Sequence, residues 1–218
     1  MAEVERDELH AEIERISGIL RARRFDVRPL VFEPPAAEPD IERLERSLAV
    51  ILPTSFRQAL LSISAHVDFR WLAPEDVRFA PPFASNFSGD LHWSLDFTSR
   101  CEHDRRSWVE EVFPDSSDPY AAVWHDKLAF ADVGNGDLLA IDLAAGANGA
   151  VVYLSHDDGE GHGYSLASDF ADLLRRWTPL ACTGGEDWQW LPFTASPTSG
   201  IDPSSPNGLL WQDALGLR

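Results

Sequence analysis

The segment LSHDDGEGHGYSLASDF, residues 154–170, sets His156, Asp157, Asp158, Glu160 and His162 in close succession. Imidazole and carboxylate are the groups that hold zinc or relay protons, so a metal or acid–base centre is the first chemistry to test. The spacing argues against it. His156 and His162 are too far apart for the i, i+4 pair of a zinc-binding helix, and Gly159, Gly161 and Gly163 exclude a helix there. The order Asp-Asp-Gly-Glu-Gly lacks the alternating ligands and terminal glutamate of an EF-hand loop. A backbone this rich in glycine is also expected to be fluid and to preorganise a metal poorly. A metal-dependent hydrolase using this turn, with ligands recruited from elsewhere, is retained only as an alternative.

Other chemistries find even less support. No G-x-S-x-G elbow is present. Cys101 stands between Arg100 and Glu102 without a histidine motif, and the nearby Arg105 and Arg106 read as a solvated helix face. The run GNGD at 134–137 has neither the lysine nor the following helix of a phosphate loop. His92 sits on the polar face of a strand, and His66, His103 and His125 are scattered over presumed loops and element ends. No catalytic residue, metal or other cofactor is therefore expected. The simpler reading of the opening segment is a Gly/Asp turn joining two strands, with Asp157, Asp158 and Glu160 as an exposed negative tip.

The elements that would carry this turn are readable from periodicity. Leu9, Ile13, Ile16 and Leu20 mark an amphipathic helix that ends in basic residues, followed by a Pro-rich connection. PDIERLERSLAVILPTSFRQALLSIS predicts two helices broken at Pro53. Ile41, Leu44, Leu48 and Ile51 line the first, Phe56, Leu60 and Ile63 the second, with Thr54 or Ser55 capping the second. LHWSLDF, residues 91–97, alternates like a half-buried strand, and RRSWVEEVF then predicts a helix closed by Pro114. KLAFADVGNGDLLAIDL predicts a hairpin turning at Gly134–Asp137, AAGANG a further turn, AVVYLS and YSL two more strands. SDFADLLRRW predicts a closing helix capped by Ser168. The class is α+β, an antiparallel meander sheet flanked by helices. Beyond it, TASPTSGIDPSSPNG reads as an extended linker and LLWQDALGL as a short apolar segment docking back on the body.

Composition narrows the function. The chain has 218 residues, 44% of them hydrophobic, enough for a substantial core. Its 36 acidic and 18 basic residues give a net charge of −18, which repels phosphate backbones and favours a basic protein partner over nucleic acid. No apolar run suits a membrane span, the charged N-terminus does not read as a signal peptide, and two distant cysteines suggest no disulfide framework. A cytoplasmic monomer is expected.

DIERLERSLAVILPTSFRQALLSI resembles the opening helices of the SMI1/KNR4 (SUKH) family, in which a helix, a Leu-Pro dipeptide and a second helix recur. LAFADVGNGDLLAIDL is similar to that family's central hairpin, and GAVVYLSHDDGEGHGYSLASDFADLLRRW to its next strand, acidic turn and closing helix. The resemblance runs from about Asp40 to Trp177, with similar flanks as far as EDWQWLPF. One departure is SAHVDF, where the family has an Asn-Gly type turn. The implied organisation is an N-terminal helix and linker at 1–38, the family domain at 39–193 and a C-terminal extension at 194–218. The resemblance implies no shared catalytic centre. It implies a protein-binding module, in bacteria an immunity protein that neutralises a toxin domain, often a nuclease. The fungal branch suggests the alternative of a regulatory scaffold in cell-wall or signalling machinery. The residues expected to meet the partner are Asp132, Asp137, His156, Asp157, Asp158, Glu160 and His162, with Trp188 and Trp190 as apolar anchors.

Overall fold

A computed structural model describes residues 5–144, 146 and 148–218. The first helix, α1 (Arg6–Ala22), buries Leu9, Ile13, Ile16 and Leu20, the stripe its periodicity predicts. Two short strands follow, β1 (Asp26–Val27) and β2 (Val31–Phe32), then helices α2 (Glu38–Leu48) and α3 (Thr54–Ser62). Pro53 separates the two helices as expected, but two local readings change. Ile51 is 83% exposed, and Leu52 is the residue that turns inward. Neither Thr54 nor Ser55 caps α3; the Ser55 hydroxyl instead accepts from the Phe170 amide at 3.1 Å, which ties the helix to a distant segment.

Strand β3 (His66–Leu72) occupies the stretch where the sequence suggested a loop. Its alternation is strict, with Val67, Phe69 and Trp71 buried and His66, Asp68 and Arg70 on the other face. β3 pairs along its length with β4 (Ser88–Ser94) and on its other side with β1 and β2, giving the first antiparallel sheet. The strand expected over 91–97 thus begins earlier and stops at Ser94. The Ser94 hydroxyl accepts from the Phe97 amide at 3.1 Å and caps α4 (Leu95–Glu111), so Leu95 and Phe97 are helical despite their alternation.

After α5 (Pro119–Trp124), strands β5 (Lys127–Asp132), β6 (Leu138–Asp142), β7 (Val151–Leu154) and β8 (Ser165–Ala167) form the expected meander as a second antiparallel sheet. Of the turn expected at 144–149, residues 145 and 147 lie outside the described residues. Both faces of this sheet are covered, which explains why its strands read as nearly continuous apolar runs. Phe130, Ile141, Val151 and Tyr153 face the main core with α1 and α3, while Ala129, Leu138, Ala140 and Leu154 face a second cluster built on Cys101 and Trp124.

The closing helix α6 (Phe170–Trp177) is capped by the Asp169 carboxylate rather than Ser168, which bonds the Asp172 side chain instead. A short helix α7 (Asp187–Trp190) follows. Residues 194–205 are a set of turns closed by a Thr194–Ile201 bridge, not an extended linker; Ile201 is buried and supplies the apolar reason to fold back. The terminal helix α8 (Pro206–Leu215) buries Trp211 and Leu215 in the same core as α1, and the Arg15 guanidinium donates to the Leu217 carbonyl. No helix among the described residues is long and apolar enough to cross a membrane.

One buried ion network holds α4 to the second sheet. Glu102 is 1% exposed, and its carboxylate accepts from Arg105 twice at 2.8 Å, from Arg106 at 2.7 Å and from the Ala129 amide at 3.1 Å. Arg105 also donates to the Trp124 carbonyl and Arg106 to the Leu48 carbonyl, so the arginines expected on a solvated face are structural. Replacement of Glu102 by Ala should cost about 3–5 kcal/mol, because it leaves a buried guanidinium and an edge amide unpaired. Trp211→Ala should cost a similar ~3–5 kcal/mol through its cavity, and Phe130→Asp should unfold the chain. Urea denaturation followed by circular dichroism measures all three; a loss below ~1 kcal/mol for either of the first two would contradict its place in the fold.

Candidate functional site

The acidic turn between β7 and β8 is not the fluid loop its glycines suggested. Its anchor is Asp137, at the end of the β5–β6 turn and 1% exposed. One carboxylate oxygen accepts from the His156 amide at 2.8 Å and from His156 Nδ1 at 2.6 Å. The other accepts from Asn135 at 2.7 Å and from the Tyr153 hydroxyl. A carboxylate has about four acceptor positions, and here four donors use them. The Tyr153 hydroxyl in turn accepts from the Asp187 amide, and Asp187 accepts from the Gly161 amide at 2.9 Å. Burial and the neighbouring Asp137 both push the Tyr153 phenol far above its ordinary range.

His162 locks the other side. Its Nδ1 accepts from the Ser155 amide at 3.0 Å and its Nε2 donates to the Tyr120 carbonyl at 3.0 Å, while the ring stacks on Tyr120 with centroids 3.7 Å apart. These bonds require a neutral imidazole. Burial lowers its pKa, against the smaller opposing pull of its hydrogen bond to Tyr120 and of Asp137 and Asp158. The Tyr120 hydroxyl donates to the Ser155 carbonyl and accepts from the Asp158 amide. Gly161 is required by proximity, since a Cβ there would lie 2.5 Å from the Trp190 ring.

Asp157, Asp158 and Glu160 are accordingly presented as exposed carboxylates on a pinned turn. Asp137 and Trp190 are corrected: both are about 1% exposed, so neither offers its side chain to a partner. Asp137 organises the turn, and Trp190 is the wall beneath it, its indole bonded to the Gly185 carbonyl. His156 and His162 are partly exposed; both ring nitrogens of His162 are held in internal bonds, while His156 is held through Nδ1. Trp188 is 37% exposed and stacks on Phe87, itself 49% exposed. Asp137, His156 and Asp157 lie close enough to share a cation. Their geometry is accounted for without one, because His156 donates to Asp137 and Asp157 accepts from the Ser155 hydroxyl.

Asp132 belongs to a second feature that the sequence did not reveal. A cleft of about 290 Å³ lies between the polar face of β3–β4 and the β5–β6 turn, lined among others by Arg28, Arg70, Asp90, His92, Asp132 and Glu186. His92 is 7% exposed, with Nδ1 2.6 Å from Asp90 and Nε2 paired to Asp132 at 3.4 Å, a distance at which charge rather than hydrogen-bond geometry holds them. Burial opposes the charged ring, yet Asp132 and Asp90 outweigh it and hold the His92 pKa above its ordinary value. The His92 ring is in turn the chief cause that lowers the pKa of Asp132. This pair links the first sheet to the second. The signal was present in the sequence: the alternation of His66–Leu72 matched with that of Ser88–Ser94 places Asp68, Arg70, Asp90 and His92 on one face. Burial raises the Cys101 thiol to about 12, which disfavours its thiolate.

The two histidines should titrate in opposite directions. Unfolded histidine has a pKa near ~6.5. The His162 contribution to stability is full above that value and is lost as pH falls through its lower folded pKa. The His92 contribution is present below ~6.5 and is lost as pH rises through its higher folded pKa. Proton NMR of the ring signals should give a midpoint above the ordinary value for His92 and below it for His162; a reversed order would contradict both environments.

A family model described as SMI1 / KNR4 family (SUKH-1) matches residues 35–176, well over half of the chain, from the start of α2 almost to the end of α6. No curated protein matches the chain.

Proposed function

The chain belongs to the SMI1/KNR4 family (SUKH-1), and on that premise we propose that it acts by binding a protein, as an immunity-type inhibitor of a basic toxin domain, and not by catalysis. The observation that carries this reading is the face centred on the β5–β6 turn. Asp104 and Glu111 of α4, Asp132 at the end of β5 and Asp157 of the acidic turn surround it. Exposed Val112, Phe87 and Trp188 supply apolar area at its margins. Carboxylates beside exposed aromatics suit a cationic partner surface, and the net charge of −18 would speed the encounter. A toxin that handles nucleic acid presents a basic cleft, which an acidic face can fill in place of the phosphate backbone.

In this reading Asp132, Asp157, Asp158, Glu160 and Trp188 meet the partner. Asp137, His156 and His162 hold the turn in shape behind them. The module at 39–193 does the binding as a cytoplasmic monomer, and the flanks at 1–38 and 194–218 brace it. Both ring nitrogens of His162 are taken up by internal bonds, which favours presentation over proton transfer at that residue.

Capture from the native cell and identification of the bound protein test the reading, followed by stopped-flow association with that protein. Reversing Asp157, Asp158 and Glu160 to Lys should slow association about tenfold and flatten its salt dependence, with circular dichroism unchanged. A wild-type rate in the triple variant removes the turn from the interface. An acidic partner, or substrate turnover abolished by His156→Ala, overturns the function.

A further inference from the structure

One side of this face carries a binding groove of its own. On α4, Asp104, Ser107, Trp108 and Glu111 fall at i, i+3, i+4 and i+7 and form a single stripe along the helix. Opposite them stand Asp132, Val133, Gly134 and Gly136, and the groove between has a volume of about 480 Å³. Every charged residue lining it is acidic. Asp132 is answered by His92, but among the described residues neither Asp104 nor Glu111 pairs with an arginine or lysine.

The end of the helix gives a separate reason to expect an external cation. α4 finishes on Glu110 and Glu111 with no basic residue in its last turn. A helix C-terminus carries partial negative charge and is ordinarily matched by a cation. Directly after it Val112 is 51% exposed. The half-buried Trp108 ring lines the groove and is held from behind by His156 and Trp124 at 5.1 and 6.0 Å. Crowded like charges at the negative end of a dipole, beside an aliphatic chain left in water, are unfavourable in the isolated molecule. A bound basic segment relieves both at once.

Resting on the protein-binding reading above, we propose that this groove receives an extended basic segment of the partner, with two arginines three residues apart. Asp104 and Glu111 are seven residues apart on the helix, or about 10 Å along its axis. Three residues of an extended polyproline II segment span about 9 Å and, at three residues per turn, bring both arginines to the same face. Arginine fits better than lysine, because its planar guanidinium can bond a carboxylate bidentately and lie on the Trp108 face. The apolar part of the segment then covers Val112.

The test is an NMR titration of the full-length protein with the peptide acetyl-Arg-Ala-Ala-Arg-amide, with acetyl-Arg-Arg-Ala-Ala-amide as the spacing control. Shifts should concentrate on the Trp108 indole, Val112 and residues 133–138. D104N/E111Q should weaken the first peptide about tenfold, and the control should bind several-fold more weakly than the first. Shifts centred on residues 157–160 or spread over every acidic surface, or an affinity indifferent to D104N/E111Q, would overturn the groove. Those results would leave the capture of a basic partner untouched, so the groove and the broader function fail separately.

Discussion

Burying a carboxylate is expensive unless every acceptor position is matched by a donor, and at Asp137 that condition fixes the arrangement of the whole face. Its donors come from its own turn through Asn135, from β7 through Tyr153 and from the acidic turn through His156. None of these segments can move independently without stranding a buried charge. Tyr153 extends the chain of bonds to Asp187, and Asp187 returns it to Gly161. The negative tip is therefore rigid for a polar reason, although its glycines alone would leave it mobile. A rigid tip loses little conformational freedom on binding, which is the advantage of a preorganised surface.

The same chemistry divides the histidines by role. His92 sits between two carboxylates and is favoured as a cation; His162 accepts one backbone bond, donates another and is favoured neutral. Each is placed where its charge state holds two elements together. Glu102 does the corresponding work for α4, fastening the helix that forms one wall of the acidic face to the edge of β5. Ionisable groups that would read as candidate catalysts in a sequence are here the joints of a scaffold, and the carboxylates left at the surface are those free to meet another molecule.

Much of the architecture was legible because it rests on local periodicity. The α1 stripe, the break at Pro53, the β5–β6 hairpin and the strand–acidic turn–strand unit follow from spacing and turn residues alone. The readings that failed involve distant partners. Ser55 is taken up by Phe170 and Ser94 caps a helix where alternation continued to suggest a strand. His66–Leu72 alternates strictly, yet SAHVDF reads only as a departure from the family's turn, because the pairing with β1, β2 and β4 that makes it a strand is not local. Asp137 and Trp190 read as candidate partner contacts because residue type cannot reveal that Tyr153 and Gly161 cover them.

By itself, then, the sequence determined the α+β class, the strong negative charge and the presence of an acidic turn, since composition and short-range spacing carry that information. Only the tertiary structure decided which acids are buried joints and which face outward. It also brought Asp104 and Glu111 of a helix beside Asp132 of a hairpin. The physical reason is that burial and pairing are made by segments far apart in the chain, and no local pattern encodes the partner that completes a hydrogen bond or removes a carboxylate from water.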